Sequence, residues 1–427
     1  MEVERQRRGT PQGAMPPCIR PDIDPGIAGL GIALTLILTL VCALTVFAAA
    51  REGGQGAEPP GIWRLIYVEG GHYREYQQKL AATARFLQSM GLIADGEVPV
   101  PDDTYSTRSM WDWLAANAGG TRIKFLRDGW YGWESDGSGR EVAKERVLRR
   151  ISEQGDVDMV LAFGTVAART FATDEHAVPT LALAVTDPVG AGVIASAGDS
   201  GRDHICAQFD PLLYSRQLKL FHNVFKFKRL GVPFVGSEAG RIMAGLPEIR
   251  RMAGELGFEL RLCETPPVGD KSEAVEKLRD CLTRLAAESD AVYLTYHPGM
   301  RWERMTELLA PIIAAGLPSF SQSGVEETRL GVLMSLSEET FNSAGRHAAE
   351  AIRRILGGAR PRDVDQVFVS APGLALNLRM AMRIGWQPTL EVLAAVDSVY
   401  LEIKNEGSHV PRIAGATGSP QPEGERP

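Results

Sequence analysis

From residue 63 onward, short apolar runs alternate with longer amphipathic stretches, and this pattern predicts successive strand–helix units. Residues 63–68 read as a strand, 69–72 as a turn, and 73–90 as a helix with Leu80, Ala84 and Leu87 on one face. A short second strand is expected at 123–126. A helix at 141–154, with Val142, Val147, Leu148 and Ile151 on its apolar face, precedes strands at 157–163 and 180–185. A second series begins near Phe209, with strands at 229–235, 258–262, 291–296 and 318–322 separated by helices at 238–256, 271–287 and 300–315. Such alternation implies parallel sheets covered by helices on both faces, an α/β fold built as two Rossmann-like lobes. Residues 333–337 read as a crossover into a helix bearing Ala344, Ala348, Ala351, Ile352 and Ile355, closed by Gly357 and Gly358.

Ahead of the first strand, residues 27–50 form an uncharged apolar run of 24 residues, long enough to cross a bilayer as a helix. Arg5, Arg7, Arg8 and Arg20 supply a positive flank, and Phe47–Ala50 offers small residues of the A-x-A type. Two readings stay open, a cleaved signal peptide and an uncleaved anchor, and both place the remainder outside the cytoplasmic membrane. Residues 1–26 are then a cytoplasmic or leader segment and 51–61 a Gly-, Glu- and Pro-rich linker.

The length of 427 residues suits two domains of ordinary size with appendages, and 44% hydrophobic against 23% charged residues is a globular balance. The net charge of −7 argues against a nucleic-acid surface, which needs a concentrated basic patch. Nothing calls for a metal or cofactor. Cys18 and Cys42 belong to the leader, which leaves Cys206, Cys263 and Cys281. These read as buried thiols, with a Cys263–Cys281 disulfide the alternative in an oxidising compartment. Four of the seven tryptophans, Trp111, Trp113, Trp130 and Trp133, fall between 91 and 133. Burial against the first sheet is the expected role of this insertion, and a lid or partner surface the other.

The strand ends carry the candidate chemistry. One run ends in Gly164-Thr165-Val166-Ala167-Ala168 and the next in Val185-Thr186-Asp187-Pro188-Val189-Gly190-Ala191-Gly192, two neighbouring turns where an open parallel sheet holds small ligands. With the helix at 344–358, its double glycine, and the segment Asn377-Leu378-Arg379-Met380-Ala381, these turns resemble the ABC transporter substrate-binding protein family of the periplasmic-binding-protein-like type I superfamily, the branch with aromatic amino-acid binders. The resemblance runs from about residue 63 to 400. It implies a first lobe at 62–208 plus 336–362 and a second at 209–335 plus 363–401, joined by a multi-strand hinge, with a tail from 402 expected to be disordered. It also implies a solute receptor that closes on a small organic ligand, an amino acid being one candidate, and delivers it to an ABC permease. A membrane-anchored sensor with a signalling partner is the alternative. The chain departs from the family where Gly236-Ser237-Glu238 replaces an Asn-rich turn and where Tyr296-His297-Pro298 replaces small polar residues.

An amino-acid ligand needs donors to its carboxylate, an acceptor for its ammonium and a surface for its side chain. The N–H groups of Gly164, Thr165 and Val166 open a helix and favour an anion. Thr165 either adds its hydroxyl or caps that helix. Asp187, after Thr186, either accepts from an ammonium or caps its own turn. Gly70, Gly71 and Tyr73 follow the first strand, and Ser237, Tyr296, His297, Gln322 and Ser323 stand at strand ends of the second series as the opposing wall. Tyr73 and Tyr296 either stack on a planar ligand or pack at the lobe edge. No G-x-S-x-G elbow, P-loop or opening G-x-G-x-x-G appears, so an enzyme is not expected.

Overall fold

The first apolar run becomes β1 (Trp63–Gly70), whose interior residues Leu65 to Val68 are wholly buried, as the centre of a parallel sheet requires. The computed structural model describes residues 61–404 except Thr121, Ser135 and Glu339; the expected segments 1–26 and 27–50, and nearly all of the linker, lie outside these. Around β1 assemble β2 (Ile123–Trp133), β3 (Met159–Phe163), β4 (Thr180–Leu183) and β5 (Ile205–Ala207) in the order β2-β1-β3-β4-β5, every pair parallel. The intervening helices are α1 (Arg74–Ser89), α2 (Arg108–Asn117), α3 (Arg140–Arg149) and α4 (Thr165–Phe171).

After α5 (Leu213–Phe225) comes the second series: β6 (Arg229–Val235), α6 (Glu238–Met243), α7 (Leu246–Leu256), β7 (Glu259–Thr265), α8 (Lys271–Glu288), β8 (Ala291–Leu294), α9 (Met305–Ala314), β9 (Ser319–Ser321), α10 (Val325–Arg329) and β10 (Met334–Ser337). Then α11 (Asn342–Leu356) leaves this layer, and β11 (Gly373–Asn377), α12 (Leu378–Arg383), α13 (Leu390–Ala395) and β12 (Ser398–Tyr400) rejoin it. The strand order is β12-β11-β10-β9-β8-β6-β7.

Three segments carry the chain between the two sheets, at 208–212, 338–341 and 364–372. The first and third run side by side: Phe209 N–H donates to Gln366 O, and Phe368 N–H to Phe209 O. α11 packs on α1 so closely that a side chain at Gly345 would lie 2.6 Å from the Ala82 Cβ. This helix therefore covers the first sheet, although the strand before it belongs to the second.

Several expectations need correction. The second sheet is not wholly parallel, because β11 runs antiparallel to β10. The chain leaves β10 at one end, travels through α11 and re-enters from that same end, so its direction reverses. The helix expected at 238–256 breaks at Gly245, whose φ of 68° is left-handed. The short strand at 123–126 continues to Trp133, and the helix at 141–154 closes in a π turn, Arg150–Gln154. The tail does not begin at 402: Ile403 is buried, Lys404 N–H donates to Arg329 O, and Asn377 Nδ2 donates to Glu402 O. Cys263 and Cys281 are not free thiols but a disulfide tying edge strand β7 to α8, and among the described residues Cys206 is free and buried. In the insertion, Trp111 is fully buried, its indole 5.6 Å from Tyr67 and its Nε1 donating to Leu126 O at 2.8 Å.

Among the described residues no helix is long and apolar enough to cross a membrane.

Candidate functional site

Where β1, β3 and β4 end, they face the ends of β8 and β9 across a cleft with two adjoining chambers, each a cavity of about 70 Å³. The outer chamber is lined by Tyr73, Glu75, Tyr105, Tyr296, Trp302 and Glu327, among others. The inner one is lined by Glu75, Lys79, Thr186, Tyr214, Tyr296 and Gln322, with Phe341 at the border of both. Glu75 and Tyr296 stand between the chambers. A third, water-sized recess lies behind them, bounded by Tyr73, Tyr76, Thr165, Thr186 and Met243.

The turn after β1 is fixed by a buried carboxylate. Glu69, with no exposed surface, accepts from the Tyr67 hydroxyl at 3.0 Å, the Thr107 hydroxyl at 2.7 Å and His72 Nδ1 at 2.7 Å. Trp130 Nε1 donates to the same Thr107 oxygen at 3.0 Å. The insertion thus holds the turn that presents Tyr73, whose ring meets Tyr296 edge-on at 6.4 Å. It also reaches across the cleft. The Tyr105 hydroxyl donates to Glu303 at 3.1 Å and accepts from Trp302 N–H at 2.8 Å, while the Arg301 and Arg74 guanidiniums lie 3.7 and 4.6 Å from its ring.

Tyr296 is positioned by Gln322, whose Oε1 accepts from Tyr296 N–H at 2.9 Å. Its hydroxyl bonds Glu75, and burial together with that carboxylate pushes the phenol well above its ordinary range. Glu75 in turn pairs with Lys79 one helical turn on. Glu327, on α10, is only 4% exposed and accepts from the Ser321 hydroxyl at 2.6 Å and from the Ser323 hydroxyl. No cation pairs with it among the described residues, so burial lifts its carboxyl to about 7. Thr165 is buried to 2% exposure, and its hydroxyl has no hydrogen-bond partner among the described residues. Ala184 and Phe341, two of the three non-glycine residues with positive φ among those described, also border the chambers. Such strain commonly collects where a ligand is clamped.

Of the residues singled out from sequence, Tyr73, Thr165, Thr186, Tyr296, His297, Gln322 and Ser323 line the chambers or the recess. Gly70, Gly71, Gly164, Val166, Asp187 and Ser237 do not, and each has local work. A side chain at Gly70 would meet the Trp133 ring at 3.0 Å, and Gly71 N–H donates to Trp133 O at 2.9 Å. Gly164 does not offer its own N–H to an anion: that group donates to Leu183 O, and the Tyr76 hydroxyl sits 1.9 Å from where a Cβ would be. Val166 carries the next helical position, with its Cβ packed 3.0 Å from that of an imagined alanine at Gly70. Asp187 caps its own turn by accepting from Gly190 N–H at 2.8 Å, and Ser237 caps α6 by accepting from Gly240 N–H at 3.0 Å.

His297 lines the outer chamber with both ring nitrogens committed. Nδ1 accepts from Gly299 N–H at 2.9 Å, so Nε2–H donates to the Thr265 hydroxyl at 2.7 Å. Burial lowers its pKa to about 3, which fixes it as a neutral structural bracket rather than a proton carrier for Ser321 or Ser323. Sequence reading missed Glu75, Lys79, Tyr105, Tyr214, Phe341 and Glu327. The first two follow Tyr73 by helical spacing and were within reach of it. Of the others, Phe341 comes from a crossing segment, Tyr214 from the start of α5, Glu327 from α10 and Tyr105 from the insertion, and their convergence needs the fold.

Residues 128–400 match the family described as ABC transporter substrate binding protein. No curated protein matches the chain. Among solved structures, one of an ABC domain in complex with L-Trp from Streptococcus pneumoniae superposes with a TM-score of 0.60 at 16% identity, covering 79% of this chain and 100% of that one. A conserved domain protein from Vibrio cholerae gives 0.61 at 16% identity over 79% of this chain and 99% of its own. A ligand-free, open substrate-binding protein with adhesive properties from Clostridium difficile gives 0.54 at 15% identity, with 80% and 100% covered. At these identities the likeness is one of fold, and it is the match over most of the chain that decides: the protein belongs to the ABC transporter substrate-binding protein family.

Proposed function

We propose that the protein is an extracytoplasmic solute receptor that closes on a small organic ligand and delivers it to an ABC permease. The observation that carries this reading is the cleft itself, in which side chains from both sheets line one polar and aromatic space. The first sheet with its helices and α11 acts as one lobe and the second sheet with its helices as the other, and the crossings at 208–212, 338–341 and 364–372 act as the hinge. A ligand touching Tyr73 and Glu75 on one side and Tyr296, Ser323 and Glu327 on the other binds the closed form more tightly than the open one. That difference in affinity drives closure. The closed form is then the surface a permease recognises.

The Cys263–Cys281 disulfide supports a place outside the cytoplasm, where such bonds persist. The family match and the L-Trp complex of the pneumococcal domain support an amino acid or a chemically related molecule as ligand. A thermal-shift screen of the full chain against amino acids, amines, nucleosides, organic acids and sugars tests the reading. A true ligand at 100 times its Kd adds about 2.7 kcal/mol to folding. Stabilisation by one chemical class is expected, and a flat response across the panel would overturn the proposal.

A further inference from the structure

We infer that Glu327 takes the positive charge of the ligand, an ammonium group with N–H donors to offer, and that it sheds its own proton as it does so; this rests on the cleft being the ligand site. Glu327 is 4% exposed and lines the outer chamber from the side of the second sheet. Its partners, the hydroxyls of Ser321 and Ser323, are neutral donors. The titratable groups that face it are Glu75 across the cleft and Tyr296 beside it, and neither is a cation. The basic side chains nearby act elsewhere. On its own helix Arg329 pairs with Glu326 at 2.8 Å, and on α1 Lys79 pairs with Glu75, which makes Glu75 the lesser candidate. Arg301 pairs with Glu303 at 3.2 Å, Arg74 donates to the carbonyls of Pro101 and Asp102, and Lys271 is exposed. His297, in the same chamber, is neutral.

A carboxylate buried without a counter-charge is strongly disfavoured, so the empty site holds its proton up to a pH of about 7. A ligand cation removes that penalty. The O–H bond of Glu327 breaks, its proton passes to solvent, and the carboxylate receives the N–H donors of an ammonium that arrives already charged. The rings of Tyr73, Tyr105, Tyr296 and Trp302 line the same chamber, and ring faces attract an organic cation as the carboxylate does. The rest of the ligand stays open. Arg74 also lines this chamber, and its buried Nε has no hydrogen-bond partner among the described residues, so an anionic group on the same molecule has a donor to meet.

The test is calorimetric titration of the full-length protein with pairs that share a body and differ in the ammonium: tryptophan and indole-3-propionate, leucine and 4-methylpentanoate, phenethylamine and 2-phenylethanol. Sugars and nucleosides complete the panel. Binding is expected from members that carry the ammonium and not from their partners. For the tightest binder at pH 6, two buffers of different ionisation heat should report release of about 0.9 proton per ligand, falling to about 0.1 at pH 8, and the Kd at pH 6 should be about tenfold higher than at pH 8. Glu327→Gln should weaken binding at pH 8 at least tenfold and abolish both the proton release and the pH dependence, with unchanged circular dichroism showing that the variant folds. A variant that binds as tightly as wild type at pH 8, or proton release that survives the substitution, overturns the assignment while leaving the receptor standing. So does tighter binding at pH 6, the sign expected if a protonated Glu327 donates to a neutral ligand, and so does binding confined to the ammonium-free partners, the sugars or the nucleosides. Silence from every compound overturns the receptor reading and this inference with it.

Discussion

Replacing Glu327 by glutamine should make the empty protein more stable, not less, at pH 8. In the fold the carboxyl titrates at about 7 against an ordinary 4.5, because burial penalises its anion and the hydroxyls of Ser321 and Ser323 compensate only in part. The sign follows from proton binding. Between pH 4.5 and 7 the native state keeps a proton that the unfolded chain has released, so stability falls as pH rises through this window. At 1.36 kcal/mol per pH unit the full cost above pH 7 is about 3 kcal/mol. Glutamine keeps the shape and carries no charge, so the cost disappears. For a cooperative unit of roughly 340 residues, at about 2.1 cal/mol/K each, the gain is an upward shift of about 4 °C in Tm. Differential scanning calorimetry of both proteins at pH 8 and pH 4.5 reads it directly. The shift should be present at pH 8 and fade at pH 4.5, where the wild-type carboxyl is protonated too. A variant equal to or less stable than wild type at pH 8 would refute the idea that Glu327 is buried without a counter-charge.

Other consequences are open to measurement. Removing the disulfide as Cys263→Ala with Cys281→Ala frees a chain separation of 18 residues and should cost about 3 kcal/mol in urea unfolding; an unchanged midpoint would show that the bond constrains nothing. Gly164→Ala places a Cβ 1.9 Å from the Tyr76 hydroxyl at a φ of 88° and should destabilise by about 3 kcal/mol. In a double-mutant cycle with Tyr76→Ala the two changes should couple by at least about 1 kcal/mol, and simple additivity would refute the clash. Tyr105→Ala removes a contact across the cleft and should speed ligand release roughly tenfold in stopped-flow, as loss of about 1.4 kcal/mol of closed-state contact implies; an unaltered off-rate would mean that Tyr105 does not latch the lobes.

What the sequence made legible follows from where each signal is local. The strands at 63, 159, 180, 229 and 291 announce themselves through apolar runs bounded by turn residues, and their alternation with helices dictates two α/β layers. β5, β11 and β12 were invisible because they are three to five residues long and owe their form to pairing with a distant strand. Tyr73, Thr165 and Tyr296 were found as residues at strand ends. Asp187 and Ser237 were chosen for the same reason and turned out to be caps, since a carboxylate or hydroxyl serves a turn and a ligand equally well until the fold shows which way it faces. Glu327 is the opposite case. Nothing in its neighbourhood, Val325-Glu326-Glu327-Thr328-Arg329, separates it from an ordinary surface glutamate until the helix is placed against Ser321 and Ser323. The Trp-rich insertion was rightly expected to pack on the first sheet, but its second role, carrying Tyr105 to Trp302, depends on an approach between parts of the chain some 197 residues apart.

The central claim is that one ligand is gripped from both sheets. The most direct measurement is the Kd of the best-stabilising ligand for the wild-type chain, for Glu75→Gln on the first wall and for Tyr296→Ala on the second. Both substitutions should weaken binding at least tenfold, each by about 1.4 kcal/mol or more. If either wall can be altered with no change in Kd, the ligand does not bridge the cleft and cannot be what closes it.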